Sequence, residues 1–182
     1  MPKLQELPPK GLNADEVHAL VRIREPYGFV IRLGLRTGLR WGELTRAQAS
    51  DVDAQGSLVV SRTKSGKVRR VPLPPTLLAE VRGRIGRLVA FSESGSFARI
   101  VRRLSGVERF TTHMLRHTYA CAWVDRQGSL AALQALLGHA SITTTQRYGR
   151  ISDSMVRAVV MRLQGVASAV ATDEQPARDL VG

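Results

Sequence analysis

The sequence predicts a mainly α-helical protein with one small antiparallel β-sheet, an α+β class. Three observations point there. Apolar residues recur at helical spacing over most of the 182 residues. That pattern breaks once, at Ser57-Leu-Val-Val-Ser-Arg62 and Val68-Arg-Arg-Val71, two short runs rich in β-branched residues. No internal repeat, low-complexity block or clear domain boundary interrupts the chain.

Residues 1–12 hold three prolines and two of the four lysines and read as an irregular lead-in. Asn13 with Glu16 three residues on makes a capping-box signature for a helix from Ala14 to about Arg24. A second apolar helix runs from Tyr27 to Leu35 and is ended by Gly38, and a short helix covers Trp41–Arg46. Lys64-Ser-Gly-Lys67 lies between the two strands and supplies a glycine for a hairpin turn. Pro72 and Pro74 stop the second strand, and Pro75 starts a helix expected to reach Val89. Further helices are expected at Phe97–Leu104, Thr112–Arg126, Leu130–Leu137, Ile142–Arg147 and Asp153–Leu163, followed by a small, polar tail from Gly165.

A hydrophobic fraction of 43% with 23% charged residues excludes a disordered chain. No apolar run of eighteen residues suggests a membrane span, and the N-terminal residues lack the apolar core of a signal peptide. Cys121 is the only cysteine, so neither an internal disulfide nor a cysteine-based zinc site is expected, which suits a reducing cytosol. The net charge is +12; four of the 27 basic residues are lysines and the rest arginine. Such a balance favours a polyanionic partner, and arginine fits phosphate with a planar fork. A genome rich in arginine codons explains the composition equally well.

The chemistry-bearing residues read as follows. In Thr112-His-Met-Leu-Arg-His-Thr-Tyr119, the residues Leu115, Tyr119, Ala122 and Trp123 make a core stripe. His113 and Arg116, three apart, are neighbours on another face. They are either a solvated face or two cations placed around an anion. His117 follows His113 by four, but no third ligand is evident for a metal. His139 stands at a helix–helix junction after Gly138, a setting more often structural than catalytic. Tyr148 lies in the polar run Gln146-Arg147-Tyr148, where a phenol can act as nucleophile if cations or a base offset its pKa of ~10. Arg40 and Glu43 form either a surface salt pair or part of a site. Lys64 at the hairpin tip is a solvated lysine on its own.

Together these residues resemble the tyrosine recombinase (phage integrase) family over roughly Leu12 to Leu163. Thr37-Gly-Leu-Arg-Trp-Gly-Glu-Leu44 is similar to the family's first box, His113-x-x-Arg116 to its second, and Leu137-Gly-His-Ala-Ser141 to its third. The resemblance implies the family's catalytic-core fold for residues 13–165. It also implies a site-specific recombinase or integrase that cleaves and rejoins double-stranded DNA without metal, ATP or other cofactor. Tyr148 would form a 3′-phosphotyrosyl bond. Arg40 and Arg116 would clamp the phosphate, Lys64 would protonate the leaving oxygen, His113 would act as general base, and His139 would bond the phosphate. Glu43 would hold Arg40 or the site helices. It further implies a homotetramer on DNA, with the tail at 166–182 either passed between subunits or a frayed terminus. The expected location is cytoplasmic and nucleoid-associated, for a protein of bacterial or phage origin. The family normally carries an N-terminal DNA-gripping domain, which here is either part of a longer protein or naturally absent, so binding by these residues alone is expected to be weak and electrostatic. A type IB topoisomerase, a regulator that lost catalysis and a basic RNA-binding protein are the alternatives. The six filled positions argue against the last two, and the short length and bacterial-style boxes against the first.

Overall fold

A computed structural model describes residues 11–61 and 68–138. The lead-in at residues 1–10, the hairpin tip with Lys64, and everything from His139 onward lie outside the described residues. That includes Tyr148, the two expected helices at Ile142–Arg147 and Asp153–Leu163, and the tail. The described residues all belong to one compact unit.

Seven helices and a two-stranded sheet are described. Helix α1 (Ala14–Val21) opens with the expected capping box: the Asn13 side chain accepts from the Glu16 N–H at 2.9 Å, and the Asn13 N–H donates to the Glu16 carboxylate at 2.8 Å. The helix ends at Val21 rather than Arg24. Helix α2 (Tyr27–Thr37) is buried on most sides, with Phe29, Val30, Ile31 and Leu33 inside, and so forms the centre of the core. It continues two residues past the expected end and closes on Gly38, whose φ of 62° is the left-handed cap conformation that glycine adopts without strain. Helix α6 (Thr112–Asp125) packs on α2. The two approach closely because Gly34 has no side chain: a Cβ there would lie 2.8 Å from a Leu115 methyl.

Strands β1 (Ser57–Val60) and β2 (Arg69–Pro72) pair antiparallel, with Leu58 opposite Val71 and Val60 opposite Arg69. Leu58, Val60, Val71 and Arg69 are therefore buried, Ser57 at the start of β1 is buried as well, and Arg70 points out. Pro72, with no N–H to donate, closes the ladder.

Helix α4 (Pro75–Arg82) is shorter than expected. Instead of continuing to Val89 the chain turns through Gly83 and Gly86. The Gly86 carbonyl accepts from Ala49 N–H and the Leu88 N–H donates to the Ala47 carbonyl, both at 2.9 Å. This extended pairing with the segment around a 3₁₀ turn (Ala49–Asp51), which sequence reading did not anticipate, satisfies backbone groups that a helix would have satisfied internally. Helix α5 (Ser94–Ser105) starts three residues early and buries Phe97, Ala98 and Val101. Phe97 packs against Tyr27, Trp41 and Phe91 in tilted and edge-on pairs at ring centroid distances of 5.5, 5.0 and 5.1 Å. Helix α7 spans Leu130–Leu137, as expected, with Ser129 capping its start and Gly138 (φ 64°) its end.

One further expectation needs correction. The buried residues of α6 are Met114, Leu115, Arg116, Ala120 and Val124, whereas Tyr119, Ala122 and Trp123 are half-buried. The helix is wedged between α2, α5 and α7, so its inner face is set by three neighbours and not by one apolar stripe. Among the described residues no helix is long and apolar enough to cross a membrane.

Candidate functional site

Arg40 sits where α2 has ended and α3 (Trp41–Leu44) begins. Its backbone is extended, its N–H donates to Glu43 Oε2 at 2.8 Å, and its Nη1 lies 3.4 Å from Glu43 Oε1. This is not the surface salt pair that the spacing allowed. The Arg40 side chain is 37% exposed, but that of Glu43 is only 4% exposed. A carboxylate so buried needs a compensating cation.

That cation is Arg69, which sequence reading missed. Its Nη1 and Nη2 donate to Glu43 Oε1 and Oε2 at 2.9 and 2.7 Å, and its Nε donates to the Leu136 carbonyl at 2.7 Å. The fork-to-carboxylate pair is the geometry in which arginine bonds most strongly. A signal was present: Arg69 has the same strand phase as Val71, so an inward Val places an arginine inside, where it must find a partner. Burial pushes the Glu43 carboxyl up. The Arg69 bonds, the Arg40 N–H and the charges of both guanidiniums outweigh this and hold it below its ordinary value.

Arg116 is also buried, at 4% exposure, so it does not lie on a solvated helix face. Its Nη1 donates to the Gly38 carbonyl at 2.8 Å and its Nη2 to the Leu137 carbonyl at 3.0 Å. One guanidinium thus ties the end of α2 to the end of α7, using helix-terminal carbonyls that lack intrahelical partners. His113, one turn earlier on α6, is exposed. His117 packs against it with ring centroids 5.9 Å apart. Burial holds the His117 imidazole below its ordinary pKa, and the charges of His113 and Arg116 push the same way. Among the described residues no group of three or more His, Cys, Asp or Glu side chains is placed to share a metal ion.

The structure therefore links Arg40, Glu43 and Arg116 of the expected set, and adds Arg69. Two arginines from β2 and α6 fix the last carbonyls of α7, Leu136 and Leu137, immediately before Gly138 and His139. Gly138 is confined there: a Cβ would lie 3.0 Å from Arg69 Nη1. Lys64, His139 and Tyr148 belong to the same expected set but fall outside the described residues.

The sequence pattern of the phage integrase family matches residues 10–155. The tyrosine recombinase XerA of Pyrococcus furiosus is 32% identical over 88% of the chain and 64% of its own length. The integrase of Haemophilus phage HP1 is 32% identical over 73% of the chain and 40% of its own length. Among solved structures, XerA recombinase superposes with a TM-score of 0.68 at 27% identity, covering 88% of this chain and 66% of that one. The catalytic domain of bacteriophage HP1 integrase gives 0.67 at 28% identity, covering 83% of this chain and 93% of that one. The chain spans somewhat under two thirds of the length of the first curated relatives it matches.

Proposed function

The chain belongs to the phage integrase family, and on that premise we propose that it is a tyrosine-type site-specific recombinase that cuts and rejoins double-stranded DNA. The phenol oxygen of Tyr148 attacks a phosphodiester, forms a phosphotyrosyl bond at the 3′ end and breaks the bond to the 5′ oxygen. Lys64 gives that oxygen its proton, and the phenol's proton passes to His113. A 5′ hydroxyl from another strand reverses the step, and because the phosphoester is conserved throughout, no ATP is consumed. Phosphoryl transfer asks the protein for alignment and charge rather than covalent chemistry. Arg40 and Arg116 supply charge at the non-bridging oxygens in place of a metal, and His139 adds a hydrogen bond.

The observation that carries this reading is the setting of Arg116. A buried guanidinium held on two backbone carbonyls has its plane fixed before substrate arrives, which is the preorganisation that electrostatic catalysis needs. The half-exposed Arg40 joins it through Gly38, two residues away. A net charge of +12 suits a DNA partner.

The test is a pool of nicked duplexes, randomised around the nick, from which a short leaving strand diffuses away after cleavage. The wild-type protein is expected to give a covalent protein–DNA band in the presence of EDTA, and Tyr148→Phe, which loses one oxygen, is expected to give none. An adduct with the Phe variant overturns the nucleophile assignment. Cleavage that needs magnesium overturns the metal-free mechanism.

A further inference from the structure

We infer that Arg69 is a positioning residue: by occupying both oxygens of Glu43 it keeps that carboxylate from capturing Arg40, and so leaves the Arg40 charge for the scissile phosphate. The inference rests on the reading of Arg40 as a phosphate clamp.

The three side chains carry two positive charges and one negative. Their distances say how the negative charge is divided. Arg69 reaches Glu43 with two bonds of 2.9 and 2.7 Å, while the Arg40 guanidinium makes one longer bond of 3.4 Å. Exposure divides them the same way: the Arg69 and Glu43 side chains are 7% and 4% exposed, and that of Arg40 is 37% exposed. Arg69 is committed through all three guanidinium nitrogens, the third to Leu136. Arg69 takes the larger share of the Glu43 charge, and the more exposed Arg40, on its single longer bond, keeps more of its own positive charge.

Without Arg69, Glu43 is a buried carboxylate lacking its main partner, a state that costs too much to persist. The other guanidinium in contact with it belongs to Arg40, whose backbone N–H is already bonded to the same carboxylate. On this reading the single 3.4 Å bond tightens into a closer pair. Arg40 would then neutralise Glu43 rather than a phosphate. Lysine at position 69 neutralises Glu43 from one point and cannot also hold Leu136 in a planar fork, so it compensates only partly.

Arg69→Met, Arg69→Lys and the double variant Glu43→Gln/Arg69→Met are compared with wild type at a temperature where circular dichroism shows each folded. Three quantities are read: the single-turnover rate of covalent adduct formation, the DNA Kd, and solvent exchange of the Arg40 Nε–H by NMR without DNA. Arg69→Met is expected to slow adduct formation ~10²-fold, the size of losing one preorganised donor, with most of the loss in rate rather than in Kd. Arg40 Nε–H exchange is expected to slow as the guanidinium pairs with Glu43. Arg69→Lys is expected to fall between. The double variant removes the trap and is expected to recover ~10-fold or more of the rate, a coupling normal for residues in one ion network.

A wild-type rate with unchanged Arg40 exchange in Arg69→Met overturns the inference, as does a double variant no faster than the single one. If Arg69→Met does not fold, Arg69→Lys and the double variant carry the same comparison: a lysine variant with wild-type rate and exchange overturns it. If the wild-type protein forms no adduct, the phosphate-clamp reading fails by itself. The exchange measurement then decides the role of Arg69 alone, slowed exchange supporting capture and unchanged exchange excluding it.

Discussion

Glu43 is shared by two arginines, and its ionisation ties the site to the stability of the fold. Its folded pKa is held below the ordinary carboxylate value, so it contributes stability that is fully present above the unfolded pKa of ~4.3 and is lost as pH falls through the folded value. Glu43→Gln keeps the shape but leaves Arg69 buried without its counter-charge. The variant is expected to lose about 3 kcal/mol of unfolding free energy at neutral pH, and to lose less further stability than wild type as the pH drops below 4. Urea titrations at several pH values check both. Parallel pH profiles for the two proteins would mean that Glu43 is not the group titrating. Arg116 is held differently: two of its bonds go to neutral carbonyls, and through them it orders two helix ends.

The helix ends bring the site residues together. Gly38 and Gly106 cap α2 and α5 with nearly the same backbone, φ 62° and 73°, but their surroundings differ. A Cβ at Gly38 would lie 2.5 Å from the Tyr119 ring and 2.9 Å from a Leu137 methyl, whereas at Gly106 it meets nothing within 4 Å. Gly106→Ala is therefore expected to cost only the backbone strain, about 1–2 kcal/mol. Gly38→Ala adds overpacking at the junction of α2, α6 and α7 and is expected to cost about 2–5 kcal/mol. It also displaces the carbonyl that orients Arg116, so adduct formation is expected to fall further than the lost folded fraction explains. Thermal unfolding of the two variants side by side checks the first claim, and rates normalised to folded protein check the second. Equal losses at the two glycines would contradict the close packing at Gly38.

For the whole molecule, charge sets how DNA is approached. With a net charge of +12, binding on the proposed reading is driven largely by released counterions. If about six phosphates are neutralised, affinity is expected to fall ~10³-fold between ~50 and ~200 mM salt, with a log–log slope near −0.9 per phosphate. Fluorescence anisotropy across that range on random duplex checks it. A flat salt dependence would mean that apolar or base contacts dominate, contrary to the arginine-rich surface.

What the sequence determined by itself is whatever depends on atoms a few residues apart. The Asn13–Glu16 capping box, the stops at Gly38 and Gly138, and both ends of α7 were legible because a cap is made within one turn of chain. The order and spacing of Arg40, Glu43, His113 and Arg116 were legible for the same reason, as was the family they resemble. Tertiary structure decided the rest. Helix α4 stops at Arg82 because residues 86–88 pair with a segment about forty positions earlier. Arg116 leaves the solvent because the carbonyls it binds belong to two other helices. Strand phase shows that Arg69 turns inward with Val71, but its carboxylate lies 26 residues before it and its carbonyl 67 residues after it. Local periodicity sets the direction a side chain takes, and only the packing of distant elements sets what it meets there.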